Sequence, residues 1–236
     1  MKNDRFSRTE MLFGEENMQK LKNANIAVFG LGGVGGHAAE ALARCGIGHF
    51  SLVDNDTVSI TNINRQTIAL TSTVGRFKTE VMRERILDIN PDADVKTFNM
   101  FYLPENSDEF PLSGYNFIVD AIDTVSAKIE LAVRAENMGI NIISSMGTGN
   151  KTDPTKLTVT DIYKTEMCPL ARVMRRELKA RNVKSLKVVY STEKAMKPLP
   201  TKETSSKPIP GSTSFVPSVA GLIIASQVVN SIINSD

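Results

Sequence analysis

The chain has 236 residues, 41% hydrophobic and 23% charged, with 28 Lys/Arg, 26 Asp/Glu, 15 Gly, 10 Pro, two Cys and no Trp. That length can bury one sizeable core, and the composition excludes collagen-like, coiled-coil and wholly disordered chains. Two cysteines are too few for a disulfide scaffold or a four-cysteine zinc site, and the polar start Met1-Lys2-Asn3-Asp4-Arg5 lacks the apolar core of a signal peptide, so a reducing, cytoplasmic setting is expected.

Short β-rich runs alternate with helical patterns through the first two thirds. Residues 25–30 (NIAVFG) predict a buried strand, 34–45 a small-residue helix packed closely on it, and 49–54 (HFSLVD) a second strand. A helix over 75–89 stops at Asn90-Pro91; strands are predicted at 94–98, 116–120 and 140–145, with a helix over 126–138 between the last two. Continuous apolar strands alternating with helices predict an α/β fold: a Rossmann-like, doubly wound sheet, mainly parallel and covered on both faces.

After Lys151 the rhythm changes. A strand is expected at 157–162, a basic helix at 169–181, a strand at 187–190 and a mobile loop rich in Lys, Pro, Ser and Thr at 191–212. Residues 215–233 carry no charge and reach the length that spans a membrane. Ser218, Ser226, Gln227, Asn230 and Ser231 suit lipid poorly, so a terminal helix packed on the sheet is favoured, with membrane contact as the alternative. The expected organisation is an α/β domain with an N-terminal arm over 1–162, and a basic extension over 163–236 that folds back on it. Within residues 163–211 twelve Lys/Arg face four Asp/Glu, a balance of +8; the remaining sixteen basic and twenty-two acidic residues give −6. A basic arm for a polyanion on a mildly acidic body would show this asymmetry, as would a solvated lysine-rich surface.

Gly30-Leu31-Gly32-Gly33-Val34-Gly35 lies between a strand and a helix, where glycines let the backbone approach a phosphate at the helix N-terminus. Asp54, at the end of the next strand, suits the ribose hydroxyls. A dinucleotide dehydrogenase is the first candidate, but it has no evident use for Asp56, Asn62, Arg65, Gln66, Lys78 and Asp123, which come next along the chain. A triphosphate does, because Arg65 and Lys78 can neutralise its oxygens and Asp123 can hold a bridging Mg²⁺.

This ordered set resembles the adenylating superfamily of ThiF, MoeB, HesA and the ubiquitin-activating enzymes, over about residues 5–149, including Arg5-Phe6-Ser7-Arg8 and Leu12-Phe13-Gly14. The resemblance implies that Gly33 lies against ATP, Asp54 binds ribose, Asn62 and Arg65 meet the phosphates, Lys78 is the phosphate lysine and Asp123 the magnesium carboxylate. It also implies that Arg8 reaches into a partner subunit's site, hence a homodimer. Thr124 departs from the Asn that many members carry. Members that activate sulfur-carrier or ubiquitin-like proteins often bear paired C-x-x-C motifs, which this chain lacks. Cys168 reads as a nucleophile or as an incidental small hydrophobe, and the carrier-protein activator stays the alternative.

Residues 168–179, 208–212 and 214–221 resemble one subfamily, the tRNA threonylcarbamoyladenosine dehydratases. That resemblance implies ATP-dependent cyclisation of N6-threonylcarbamoyladenosine in tRNA, and leaves open a sulfur-relay partner. Arg172, Arg175, Arg176 and Lys179 recur at three- and four-residue spacing and are expected to track tRNA phosphates along one helix face, with Leu170, Val173, Met174 and Leu178 packed behind them.

Overall fold

A computed structural model describes residues 4–200 and 209–235 of the chain. Seven strands form one sheet: β1 (Asn25–Phe29), β2 (His49–Val53), β3 (Asp94–Phe98), β4 (Phe117–Asp120), β5 (Asn141–Ser145), β6 (Leu157–Asp161) and β7 (Lys187–Ser191). Their order is β3-β2-β1-β4-β5-β7-β6, parallel throughout except for β6, which runs antiparallel along β7 at one edge. The helices are α1 (Ser7–Asn23), α2 (Gly35–Arg44), α3 (Lys78–Ile89), α4 (Val125–Met138), α5 (Pro169–Ala180) and α6 (Val216–Ile233).

Strand β1 has no polar face because both of its faces are covered. Ile26 and Val28 join the core under α2, α3 and α6, while Ala27 and Phe29 join the one under α4. On that second side Phe29 meets Tyr102 and Phe110 edge to face at 5.1 and 5.0 Å. Burying such a ring stabilises the fold by roughly 2–3 kcal/mol, and favourable ring geometry adds to it. The uncharged α6 is long and apolar enough to span a bilayer. Here Val216, Ala220, Ile224, Val228 and Ile232 are buried. It lies so close to α2 that a Cβ on Gly221 would stand 2.4 Å from the Val34 carbonyl oxygen.

The N-terminal arm forms helix α1, which kinks at Gly14, where φ is +78°. One local expectation is corrected. In α5, Ala171 packs inward with Met174 and Leu178, whereas Val173 is exposed, because it falls on the arginine side of the turn. The loop expected over 191–212 is described up to 200 and from 209; the stretch between, like Met1-Lys2-Asn3, lies outside the described residues.

Candidate active site

The strand order reverses between β1 and β4, and a cleft of about 700 Å³ opens at the carboxyl ends of the strands there. Five helices begin at its walls: Val34 precedes α2, Lys78 opens α3, Thr124 caps α4, and Leu170 and Pro217 lie in the first turns of α5 and α6. Each brings the positive end of a helix dipole toward it, so the cleft is suited to an anion before any side chain is counted.

The glycine turn is dictated by space. Gly30 has φ +85°, and a Cβ there would stand 2.6 Å from the Ala121 carbonyl oxygen; a Cβ on Gly35 would stand 1.8 Å from the Gly30 oxygen. Gly32 and Gly33 line the cleft beside Arg65, Gln66 and Pro217. Asp54 is fixed by two amides, Leu31 N donating to Oδ2 at 2.6 Å and Asp56 N to Oδ1 at 2.8 Å. Burial raises its pKa from the ordinary value, against the pull of the Lys78 charge and these two amides. Each oxygen keeps a lone pair for a hydroxyl donor.

Lys78 is 5% exposed and donates to Asp56 Oδ2 at 2.7 Å. Asn62 Oδ1 accepts from Ser59 N, closing the turn that carries Arg65, whose Nη1 donates to Thr61 O and Asn64 Oδ1. Gln66 is 6% exposed, and its Oε1 is the one buried side-chain polar atom without a partner among the described residues. A buried acceptor without a donor, in a cleft, suits a ligand that brings one.

Asp123 is exposed at the β4–α4 turn, where Thr124 Oγ1 donates to its Oδ1 at 3.5 Å. The turn rests on a buried ion pair that sequence reasoning missed: Lys128 Nζ lies 3.0 Å from Asp120 Oδ2 and donates to Ile122 O at 3.1 Å, while Ser144 Oγ donates to Asp120 at 2.6 Å. Both side chains are fully buried. The one available signal was Lys128 falling on the apolar side of an otherwise amphipathic helix. Among the described residues no three carboxylate, imidazole or thiol groups form a metal cluster. An exposed carboxylate such as Asp123 in an anion cleft fits Mg²⁺, which keeps several waters and takes phosphate oxygens as ligands.

Met100, Phe101 and Tyr102 close one end of the cleft, and Arg134 fixes Tyr102 by donating to its hydroxyl at 2.9 Å and to the Ser107 carbonyl. The far wall is Ser145–Gly149 with Leu170, Ile209, Pro210, Ser212 and Pro217. Behind it lies Lys151, 4% exposed, donating to Gly147 O at 3.0 Å; burial lowers its pKa. Cys168 is also buried, packed with Met174, Ile162 and Tyr190. Cys45 is half-buried beside the α2 core, and burial raises its pKa.

The cleft thus gathers Gly30, Gly32, Gly33, Asp54, Asp56, Asn62, Arg65, Gln66, Lys78 and Asp123, with Gly35 directly beneath. Arg8 lies outside it, exposed on α1 between Asp4 and the exposed pair Met11 and Leu12. On α5, Arg172, Arg176 and Lys179 are exposed, Arg176 paired with Glu177 at 2.7 Å. Arg175 departs from that row: it is half-buried and donates to Thr165 O at 2.8 Å.

Comparison with known proteins gives three findings. The ThiF family model matches residues 6–236. The tRNA threonylcarbamoyladenosine dehydratase of Bacillus subtilis is 44% identical over 238 residues, covering 95% of this chain and 92% of that protein. The crystal structures of the E. coli tRNA N6-threonylcarbamoyladenosine dehydratase with ATP and with AMP each superpose with a TM-score of 0.88 at 38% identity, covering 97% of this chain and 93% and 94% of theirs.

Proposed function

The chain belongs to the ThiF family, and from that premise we infer that it is an ATP-dependent tRNA threonylcarbamoyladenosine dehydratase. The observation that carries this reading is the buried Lys78, bonded to Asp56 in the cleft that Asp54 and Arg65 also line and where five helix N-termini converge. In the reaction the threonyl carboxylate of N6-threonylcarbamoyladenosine displaces pyrophosphate from the α-phosphate of ATP. The carbamoyl group then attacks the acyl carbon, the ring closes and AMP leaves, so the modified base loses water and ATP becomes AMP and pyrophosphate. An internal nucleophile is already positioned, so proximity takes the place of an enzyme nucleophile, and buried Cys168 has no required part.

The residues divide the work. Asp54 accepts from the ribose hydroxyls, and Gly33 lets the triphosphate approach the start of α2. Lys78, Arg65 and Asn62 hold phosphate oxygens and oppose the charge that builds on the α-phosphate and the departing pyrophosphate. Gln66 Oε1 and Asp56 complete the polar wall. Asp123 is the residue that would hold Mg²⁺, which when bound neutralises negative charge shared between phosphate oxygens.

Arg8 is exposed and does not line the cleft of its own chain, which supports a homodimer in which it serves the partner's site. Mixing Arg8→Ala and Lys78→Ala subunits is then expected to regain activity, since one site per heterodimer keeps both groups; no recovery under demonstrated subunit exchange overturns this assignment. The exposed Arg172, Arg176 and Lys179 suit tRNA phosphates. A cytoplasmic location suits the tRNA substrate, and a sulfur-relay protein remains a candidate partner.

The deciding experiment incubates the protein with ATP, Mg²⁺ and tRNA that carries or lacks threonylcarbamoyladenosine, and examines the nucleosides by mass spectrometry. Loss of water from the modified base alone, with AMP formed, is the expected result. An adenylated carrier protein with unchanged tRNA would overturn it.

A further inference from the structure

The far wall of the cleft is assembled from chain segments that are distant in sequence, and one residue joins them. Asn150 has φ +59°, a left-handed conformation that Asn and Gly adopt most readily. Its backbone N donates to Gly211 O at 2.7 Å, its Oδ1 accepts from Gly211 N at 2.7 Å, and its backbone O accepts from Met196 N at 2.8 Å. It therefore holds the limb that leaves β7 and the limb that returns toward α6. Neighbouring bonds extend the seam. Thr152 N and Asp153 N donate to the Glu193 carboxylate at 3.0 and 2.9 Å, and Asn64 Nδ2 donates to Ser212 O at 3.1 Å, tying the returning limb to the turn that carries Arg65. The fit is close: a Cβ on Gly149 would stand 2.9 Å from Pro210 Cβ.

We propose that Asn150 is a positioning residue for the tRNA side of the reaction, fixing Ile209, Pro210 and Ser212 as the wall against which the modified nucleotide is presented. The proposal rests on the reading of the site as a tRNA-modifying one. The division of bonds leads to it: the nucleotide half of the cleft is closed by its own local contacts, whereas these three residues reach the cleft through Asn150 and Asn64.

The test uses two variants of the full chain. Asn150→Gly keeps the left-handed backbone and loses the Oδ1 acceptor; Asn150→Asp keeps both. One missing hydrogen bond is expected to raise KM for threonylcarbamoyladenosine-bearing tRNA about five- to tenfold in Asn150→Gly, with kcat and ATP affinity within about twofold of wild type, and Asn150→Asp is expected to restore KM. Tryptic cleavage after Lys194, in the outgoing limb, should quicken in Asn150→Gly and return to the wild-type rate in Asn150→Asp. Unchanged KM and cleavage in Asn150→Gly overturn the proposal, and so does an equal loss of ATP affinity, which would make Asn150 a support of the whole cleft. Should the wild-type protein leave tRNA unmodified, the functional reading fails and the cleavage rates alone decide whether Asn150 holds the wall.

Discussion

The two halves of the cleft are built on different scales of sequence distance. On the nucleotide side, Gly30 to Gly35, Asp54 with Asp56, and Asn62 with Gln66 are each set by turns of a few residues at strand ends, and Lys78 reaches Asp56 directly. On the far side, Gly149, Leu170, Pro210 and Pro217 come together through bonds between distant segments. Local turns are specified by the residues within them, so a short motif reveals what they do; the far-wall segments stood out in sequence only by resemblance over 168–179, 208–212 and 214–221, and packing alone shows that they meet at the cleft. The nucleotide half is thus expected to fail abruptly when one group is removed, and the far half by degrees.

The sharpest break is at Lys78. Changing it to Met removes a preorganised charge from the cleft and is expected to lower turnover by about 10²–10³-fold. Melting should be little affected, because Asp56 is 59% exposed and regains water. Turnover and thermal unfolding on the same sample check both halves of that statement. Next comes Gly35→Ala, where the added Cβ meets the Gly30 oxygen at 1.8 Å and the strand–turn–helix must spread; a loss of about 3 kcal/mol in denaturant unfolding is expected.

That contrast also explains what was legible. The parallel sheet, its strands and the phosphate-binding turn could be read from apolar runs of NIAVF or FIVD type and from glycine spacing. Helix α1 escaped because Ser7–Asn23 buries only Leu21 and leaves Met11 and Leu12 exposed, so it has no apolar stripe, and Gly14 interrupts it. Lys128 and Lys151 escaped for another reason. Lysine reads as a solvated cation, and only tertiary structure shows that Asp120 and backbone carbonyls surround these ammonium groups. Arg175 is the converse case: helical spacing put it among the tRNA-facing cations, and Thr165 holds it against the fold.

A smaller effect lies behind the nucleotide half, where Glu40 of α2 accepts from Arg85 of α3 at 2.6 Å, from Thr67 at 2.8 Å and from Arg44. Burial opposes its charge, but these donors outweigh that and lower its pKa from 4.5 to about 2. A depressed carboxyl pKa stabilises the fold fully above the unfolded value, and the contribution fades as pH falls from about 4.5 toward 2. Glu40→Gln is therefore expected to cost about 2 kcal/mol at neutral pH and progressively less at pH 3 and 2, read from unfolding curves across that range.

The smallest effects belong to α5 and separate two arginines three residues apart. Arg172→Ala should weaken tRNA binding several-fold and reduce the slope of log affinity against log salt by about one. Arg175→Ala should leave that slope unchanged and cost about 1 kcal/mol of stability, since its bonds are to Thr165. Titrations at several salt concentrations distinguish them, and equal slopes for both variants would dissolve the distinction.

The buried Asp120–Lys128 pair beneath the Asp123 turn has a consequence for how such a sequence can change over time. Replacing either partner alone strands an uncompensated charge in the interior, a penalty of about 3–5 kcal/mol, whereas replacing both with apolar residues of similar volume can be nearly neutral. Single substitutions at either position therefore descend into a valley, and the two positions form one heritable unit. A lineage leaves this arrangement only by a paired change, and a saturation library at Asp120 and Lys128 together should recover folded variants that neither single-site library contains.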